Sequence, residues 1–231
     1  MNSEEPIWLR NMVMLGQGAP NKIRKIKGRQ GRCVCLWSKE TGYCRVYPVP
    51  YGYVHDWEVV DIQVRKPTND NRENSFVVYN YEKEWENLSK RIHVQKVLNR
   101  RKVLKNRKLS REDQLKLVRA LGTESFSEIR DAQKSYGIIK PKGVNLVLKK
   151  NREKSEAQTK LTNLDDLVMD QKDYAWIPYV EYSCESECKS KHPHKEKLVE
   201  WGAYQFMKIK PNDKEHCEKL IDNYHLKDDG Y

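Results

Sequence analysis

The sequence predicts a mixed α+β protein in three parts: a β-rich N-terminal part, a basic helical middle and a C-terminal α/β module. Three observations predict this order. Strand-like segments fill the first 81 residues, apolar residues then recur at helical spacing, and two cysteines and two histidines lie within residues 184–194. We expect the boundaries at 1–81, 82–150 and 173–231, with the charged segment 151–172 as a linker.

The N-terminal part contains four short segments rich in β-branched and aromatic residues, at 32–38, 43–50, 57–66 and 75–81. Gly, Pro, Asn and Asp separate these segments, as is typical of closely spaced strands. Gly42 lies in the short connection between the first two, where a hairpin needs a residue that tolerates positive φ. The pattern predicts a small antiparallel β-barrel or sheet, of the size of an OB or SH3-like unit.

The middle part begins with helical spacing of its apolar residues. Trp85, Leu88 and Ile92 recur on one helical face, which predicts a helix through 82–108. This region also carries a long run of basic residues. We therefore expect a basic helix after the last N-terminal strand.

Two shorter helices are predicted at 111–121 and 126–136. Each begins with the spacing of a capping box, in which a hydroxyl and a carboxylate bind the free amides of the first turn. The pairs are Ser110 with Asp113 and Ser125 with Glu128. Gly137 is placed to end the second helix. Segment 138–150 returns to strand character and can rejoin the N-terminal sheet.

The C-terminal module is predicted to open with the strand "YAWIPYVEYSC" and to close with two helices, at 195–209 and 212–225. Between them lies the stretch "CESECKSKHPH", in which Cys184 and Cys188 precede His192 and His194. Thiolates and imidazoles at such short spacing are the ligands that Zn²⁺ prefers. The spacing predicts a zinc knuckle.

Cys184, Cys188 and His194 are the preferred ligands, with His192 second to His194. An extended segment around Pro193 would point the two histidines apart, so we expect one of them to coordinate. The fourth ligand stays open between Cys217, His216 and His225. The spacings of the zinc deaminases and of the His-Glu-x-x-His metalloproteases do not occur. These residues therefore predict structural rather than catalytic zinc.

The charge balance points to a polyanionic partner. The chain has 44 Lys and Arg against 33 Asp and Glu, a formal net charge of +11. Nucleic acid, either DNA or RNA, is the most common partner of such a chain. Residues 90–108 hold nine basic residues and no acidic one, and residues 20–32 hold six and none. A run of one sign carries repulsion that phosphates relieve.

The predicted nucleic-acid contacts come from these two runs and from an aromatic side chain that could stack on a base. They are Lys22, Arg24, Lys25, Arg29, Arg32, Lys96, Arg100, Arg101, Lys105, Arg107 and Tyr47.

Location is predicted from what the sequence lacks. The first residues carry neither the basic nor the apolar region of a secretory signal, and no apolar run is long enough to cross a membrane. We expect a cytoplasmic protein without a membrane partner. In that reducing compartment, the six cysteines are expected to be thiols or metal ligands.

Two other functions stay open. Glu58, Asp61 and Lys66 could form the metal-binding part of a nuclease, although Glu58 and Asp61 would point to opposite faces of a regular strand. The basic surface could instead bind an acidic protein, so that the chain acts as a subunit of a larger complex. A second metal site at Cys33, Cys35 and Cys44, together with His55, is less favoured than simple packing of these cysteines in a sheet.

The chain also resembles an uncharacterised family of prokaryotic proteins. The resemblance rests on "GRQGRCVCLWSKETGYCRVYPVPYG", "WEVVDIQVRK", "YGIIKPK" and the Cys/Cys/His cluster running into "KLVEWGAY", and it covers most of the chain. It implies a β-rich N-terminal part and a metal cluster at Cys184, Cys188 and His194. It implies no catalytic residue. A role in prokaryotic antiviral defence or in a mobile element would suit such a family.

Overall fold

The computed structural model describes residues 5–70, 72–98, 103–121, 124–134, 136–152, 174–185 and 187–224. These residues form two compact units. The described residues of Met1–Gln17, Lys22–Thr123 and Ile129–Ile138 form the first, which we call the barrel unit. Those of Gly18–Asn21, Glu124–Glu128 and Ile139–Tyr231 form the second, which we call the C-terminal unit.

Five strands close into a β-barrel in the barrel unit. They are β1 (Ile7–Gln17), β3 (Gln30–Ser38), β4 (Gly42–Val49), β5 (Val59–Arg65) and β6 (Ser75–Val78), with the short β2 (Asn21–Lys22) attached to β3. Around the barrel the order is β1, β3, β4, β6, β5 and back to β1. Every pair is antiparallel except β4 and β6, which run parallel. The predicted barrel is confirmed, but its expected antiparallel pairing is wrong at this one pair.

Alternating side chains build the barrel core. Val34 and Leu36 of β3 and Cys44 and Val46 of β4 point inward and are buried, while the residues between them are only half-buried. This period of two is the pattern expected for a sheet with one face on a core. Gly31 allows an unusually close approach between strands, because a Cβ at this position would overlap the ring of Pro48.

The strand β1 had no counterpart in the sequence prediction. Met12, Val13 and Met14 are all buried in succession, so the alternation that marks a strand is missing. Asn11 has a φ of 51° and lies where the register of β1 with β5 shifts, between Leu9 and Met12. This bulge changes which side chains point inward.

The predicted helix through 82–108 is wrong over most of its length. The chain forms α1 (Tyr81–Glu84), a 3-10 helix (Trp85–Lys90), and then the strands β7 (Ile92–Val94), β8 (Lys96–Leu98) and β9 (Leu104–Asn106). Ile92 is buried, His93 is exposed and Val94 packs against the core, so this segment alternates with the period of a strand. It pairs with β5, and β8 and β9 form a separate hairpin.

The capping box at Ser125 is confirmed, whereas the one at Ser110 forms in part, because the Asp113 carboxylate accepts from the Ser110 hydroxyl instead of its amide. Ser110 precedes α2 (Arg111–Ala120) and accepts a hydrogen bond from the Asp113 amide. Ser125 precedes α3 (Phe126–Asp131), and each of Ser125 and Glu128 binds the backbone amide of the other through its side chain. However, α3 ends well before Gly137. Gln133 adopts a φ of 51°, and its amide bonds to the Arg130 carbonyl, so the chain turns there.

The C-terminal unit contains a three-stranded antiparallel sheet and two helices. The elements are β10 (Pro141–Lys150), β11 (Trp176–Cys184), β12 (His194–Lys197), α4 (Trp201–Lys208) and α5 (Lys214–Tyr224). The strand at 141–150 pairs with β11 and does not rejoin the N-terminal sheet, contrary to expectation. The helix predicted from 195 starts only at 201, because the Glu200 carboxylate caps it through the amides of Gly202 and Ala203.

The predicted linker, 151–172, lies almost entirely outside the described residues. Among the helices that are described, none has the length and apolar character needed to cross a membrane.

Candidate metal centre and basic surfaces

Three of the predicted ligands meet at one end of the β11–β12 pair. Cys184 is the last residue of β11, Cys188 lies in the connection, and His194 is the first residue of β12. His194 Nε2 lies 3.4 Å from the Sγ of Cys184 and 3.4 Å from the Sγ of Cys188, and all three ligand atoms lie within 4.8 Å of one another. Cys184 and His194 are buried, and Cys188 is half-buried.

This spacing fits a tetrahedral metal ion. With zinc bonds of about 2.3 Å to sulfur and about 2.0 Å to nitrogen, the sulfur-to-nitrogen edge of a tetrahedron is about 3.5 Å. Both measured edges, at 3.4 Å, are close to that value. The group could therefore hold a metal ion without a large rearrangement.

A segment far away in sequence packs against these ligands. The amide of Phe126 donates a hydrogen bond to the Sγ of Cys184 at 3.3 Å, and the amide of Lys189 donates to the Oγ of Ser127 at 3.2 Å. The Phe126 ring stacks on the His194 ring with their centroids 4.7 Å apart. Contacts of this kind orient metal ligands and tune their basicity. The Ser125 capping box predicts the start of α3, but no local pattern indicates its contact with the metal ligands.

The two thiols have opposite pKa shifts. Desolvation is the largest influence on both, and it raises the pKa of Cys184. At Cys188 desolvation is outweighed by hydrogen bonds from the Ser127 hydroxyl and from the amides of Ser190 and Ser127, which lower the pKa to about 6. These hydrogen bonds favour the thiolate form of Cys188, which is the form that binds metal.

His192 lies beside the group, and its expected direction is wrong. The chain bends at His192 and Pro193, and the ring of the exposed His192 lies with its centroid 4.5 Å from that of His194. The two side chains are neighbours instead of pointing apart.

Cys217 does not belong to the clustered group. It is buried in the helical core of the C-terminal unit, together with Ala203, Met207 and Leu220, and its Sγ lies 3.9 Å from the Lys210 carbonyl oxygen. His216 stacks on Phe206 and is likewise engaged elsewhere. His225 lies outside the described residues.

The basic residues of 20–32 form a cationic loop that is anchored to the barrel. Ile23 is buried in the barrel core, and Ile26 packs against it. Lys22, Arg24 and Lys25 are exposed. Among the predicted contacts in the loop, Lys25 pairs with Glu82 at 3.2 Å and Arg29 with Glu86 at 2.5 Å.

Arg32 does not lie on this surface. It is only 1% exposed, and its guanidinium donates to the Val54 carbonyl oxygen. Burial lowers the pKa of Arg32 to about 10. This burial argues against the predicted contact of Arg32 with phosphate.

The second basic run lies on the β8–β9 hairpin and beside it. Lys96, Lys105 and Arg107 are exposed. Lys96 donates to the Asn106 side chain, and Arg107 to that of Gln95 at 2.7 Å. Arg100 and Arg101 lie outside the described residues.

The outer face of β3 and β4 is partly covered by the protein itself. Tyr47 is half-buried, and the Arg45 guanidinium lies 5.6 Å from its ring centroid. The Tyr136 phenol lies close to Cys33 and Cys35, and burial raises its pKa. Stacking of a base on Tyr47 would therefore compete with contacts within the chain.

The nuclease arrangement is not assembled. Glu58 is buried, and its carboxylate accepts hydrogen bonds from the His55 amide and the Asn106 side chain. Asp61 accepts from the Asn11 amide and pairs with Arg10. In the described part of the chain, neither carboxylate belongs to a group of residues that could hold a metal ion. The same is true of Cys33, Cys35 and Cys44 among the described residues.

Comparison of the chain with protein-family models, curated proteins and solved structures finds no match. The resemblance to a prokaryotic family therefore stays a prediction.

Proposed function

We propose that this chain binds nucleic acid through the cationic loop and the β8–β9 hairpin of its barrel unit. We further propose that zinc, held by Cys184, Cys188 and His194, fixes the fold of the C-terminal unit. The first proposal rests on one observation: the cationic loop connects β1 to β3 of the barrel. Thiolate and imidazole donors at tetrahedral spacing support the second.

The strand order of the barrel supports a nucleic-acid ligand. In chain order the five barrel strands are β1, β3, β4, β5 and β6. Around the barrel the fifth strand lies between the third and the fourth, and the third and fifth strands are parallel. This is the order of an OB-fold barrel, whereas neighbouring strands of SH3-like barrels are antiparallel. OB folds bind oligonucleotides with their second and third strands and with the loops after the first and fourth. This support is an analogy between folds.

The cationic loop occupies the first of these loop positions, between β1 and β3. Lys22, Arg24 and Lys27 are exposed, and no described residue forms an ion pair with them. Three uncompensated cations on a loop that Ile23 holds in place form a surface for phosphates. Because the face of β3 and β4 is partly covered, we assign the first contacts to the loop and the hairpin.

A protein partner is the second candidate. Val103 and Leu104 on the hairpin are 57% and 65% exposed, and exposed aliphatic side chains next to cations also suit a contact with an acidic protein.

The direct test is fluorescence anisotropy of the purified chain with labelled single-stranded and double-stranded DNA and RNA at low salt. Binding to any probe is expected, and the tightest probe identifies the class of nucleic acid. The charge-removal variant K22A/R24A is expected to bind more weakly than K39A/K219A, which removes two exposed lysines elsewhere. Flat anisotropy with every probe would contradict the proposal and favour a protein partner.

A further inference from the structure

The three clustered ligands leave one position of a tetrahedral ion to be filled. Structural zinc sites are almost always four-coordinate with protein ligands, whereas catalytic sites keep one position for water. The identity of the fourth ligand therefore decides what the metal does. Among the described residues, Cys217 and His216 are engaged in the helical core, which favours a fourth ligand from close to the cluster.

We infer that His192 is the fourth ligand, which makes the site a closed Cys₂His₂ centre. This inference rests on the proposed zinc site. The ring centroids of His192 and His194 are 4.5 Å apart and the rings are tilted by 56°. Two imidazoles on one tetrahedral zinc ion have centroids about 5 Å apart, estimated from the zinc-to-nitrogen bond and the size of the ring. The observed separation is therefore close to the one that coordination requires.

The surroundings of His192 leave it able to reach the ion. Its side chain is exposed, and within the described part of the chain its ring contacts that of His194. His194 by contrast is buried, with Phe126 stacked on it and Tyr182 beside it. The three other ligand atoms already lie at coordination spacing and His192 is not yet among them, so its side chain has to turn to complete the site.

The acidic residue that follows Cys184 in the chain is already paired. The Glu185 carboxylate lies 2.7 Å from the ammonium group of Lys140 on the neighbouring segment. The Glu185 amide also bonds to the Lys140 carbonyl oxygen, which holds this residue towards β10. A neutral imidazole is in addition a better match than a carboxylate to an ion that already has two thiolates, since a second neutral ligand avoids further negative charge.

X-ray absorption at the zinc edge tests the inference on the full chain. The wild-type protein is expected to show two sulfur ligands and two imidazoles, the latter counted from their outer-shell scattering. H192A is expected to show one imidazole, and H192C three sulfurs and one imidazole. H55A, which removes an exposed histidine of the barrel unit, is expected to match the wild type.

The outcomes separate the inference from the zinc proposal. One imidazole in the wild type, or two in H192A, would overturn the role of His192 and leave the zinc site standing. C184A serves as the zinc-free reference and is expected to retain no zinc after purification and reloading. A wild-type protein that likewise retains no zinc would overturn the zinc site itself. A competition titration with a chromophoric chelator adds a second readout, in which H192A is expected to bind zinc at least about tenfold more weakly, the lower bound for losing even an outer-shell contact.

Discussion

The ring of Phe126 stacks on the ring of His194, with centroids 4.7 Å apart and planes inclined by 30°. The Phe126 amide also donates to the Sγ of Cys184. One residue thus contacts two members of the metal-binding group from a segment that is distant in sequence. The metal centre therefore includes the start of α3, and it joins residues 124–128 to the β11–β12 pair within the C-terminal unit.

The first prediction concerns this stacking. F126L keeps an apolar side chain and the backbone amide but removes the aromatic contact. Because aromatic pairs contribute about 0.5–1.5 kcal/mol beyond simple burial, we expect the free energy of unfolding of the zinc-loaded protein to fall by about 1 kcal/mol. Urea unfolding measures this change.

The matched control is F206L, since Phe206 stacks on His216 in the same unit. It is expected to lower the stability of the protein without changing its affinity for zinc. An affinity for zinc that is the same in F126L and the wild type would contradict a role of Phe126 at the metal centre.

The second prediction concerns the thiolate of Cys188. The Ser127 hydroxyl is among the groups that lower its pKa to about 6, so S127A is expected to raise that pKa towards the ordinary thiol value. Protons then compete with zinc at higher pH, and the midpoint of zinc release on acidification should move upward. A chelator dye followed through a pH series measures the midpoint, with S183A as the control.

The same shift has a consequence for the metal-free protein. A thiol whose pKa is lower in the folded state stabilises that state fully above its unfolded pKa, and this stabilisation is lost as pH falls. For Cys188 the window runs from the ordinary value of 9.0 down to about 6. Stability of the metal-free wild type should decline across this window more than that of S127A. If the unfolding stabilities of the two metal-free proteins change equally with pH, the Ser127 hydroxyl does not lower the pKa of Cys188.

The third prediction concerns the anchor of the cationic loop. Ile23 is 5% exposed and packs in the barrel core. I23A leaves a cavity there, and large-to-small changes in a core lower the free energy of unfolding by about 2–5 kcal/mol. At temperatures where I23A is still folded, the variant is also expected to bind nucleic acid more weakly, because the loop cations lose their fixed positions. Affinity equal to that of the wild type would show that the anchor does not matter for binding.

The sequence predicted the parts of the fold that depend on local patterns. Val34, Leu36 and Val46 alternate with outward-facing residues, and this alternation predicts their strands correctly. β1 was missed because its bulge at Asn11 interrupts the alternation. The segment after Trp85 is predicted as a helix because Leu88 and Ile92 have helical spacing, but both residues are buried in the barrel core.

The candidate site divides in the same way. Cys184, Cys188 and His194 lie close together in sequence and could be paired from their spacing alone. The contact of Phe126 with His194 depends on how two distant segments pack, which no local pattern encodes. Arg32 was grouped with its basic neighbours, but the inward direction of its side chain depends on the barrel register.

The most direct test of the central claim is the salt dependence of nucleic-acid binding by the wild type and by K22A/R24A. The logarithm of the binding constant falls linearly with the logarithm of the salt concentration, with a slope of about −0.7 to −0.9 for each phosphate contact. If Lys22 and Arg24 each neutralise one phosphate, the variant's slope should be shallower by about 1.4 to 1.8, while K39A/K219A keeps the wild-type slope. Identical slopes for all three proteins would contradict a phosphate-binding role for the cationic loop.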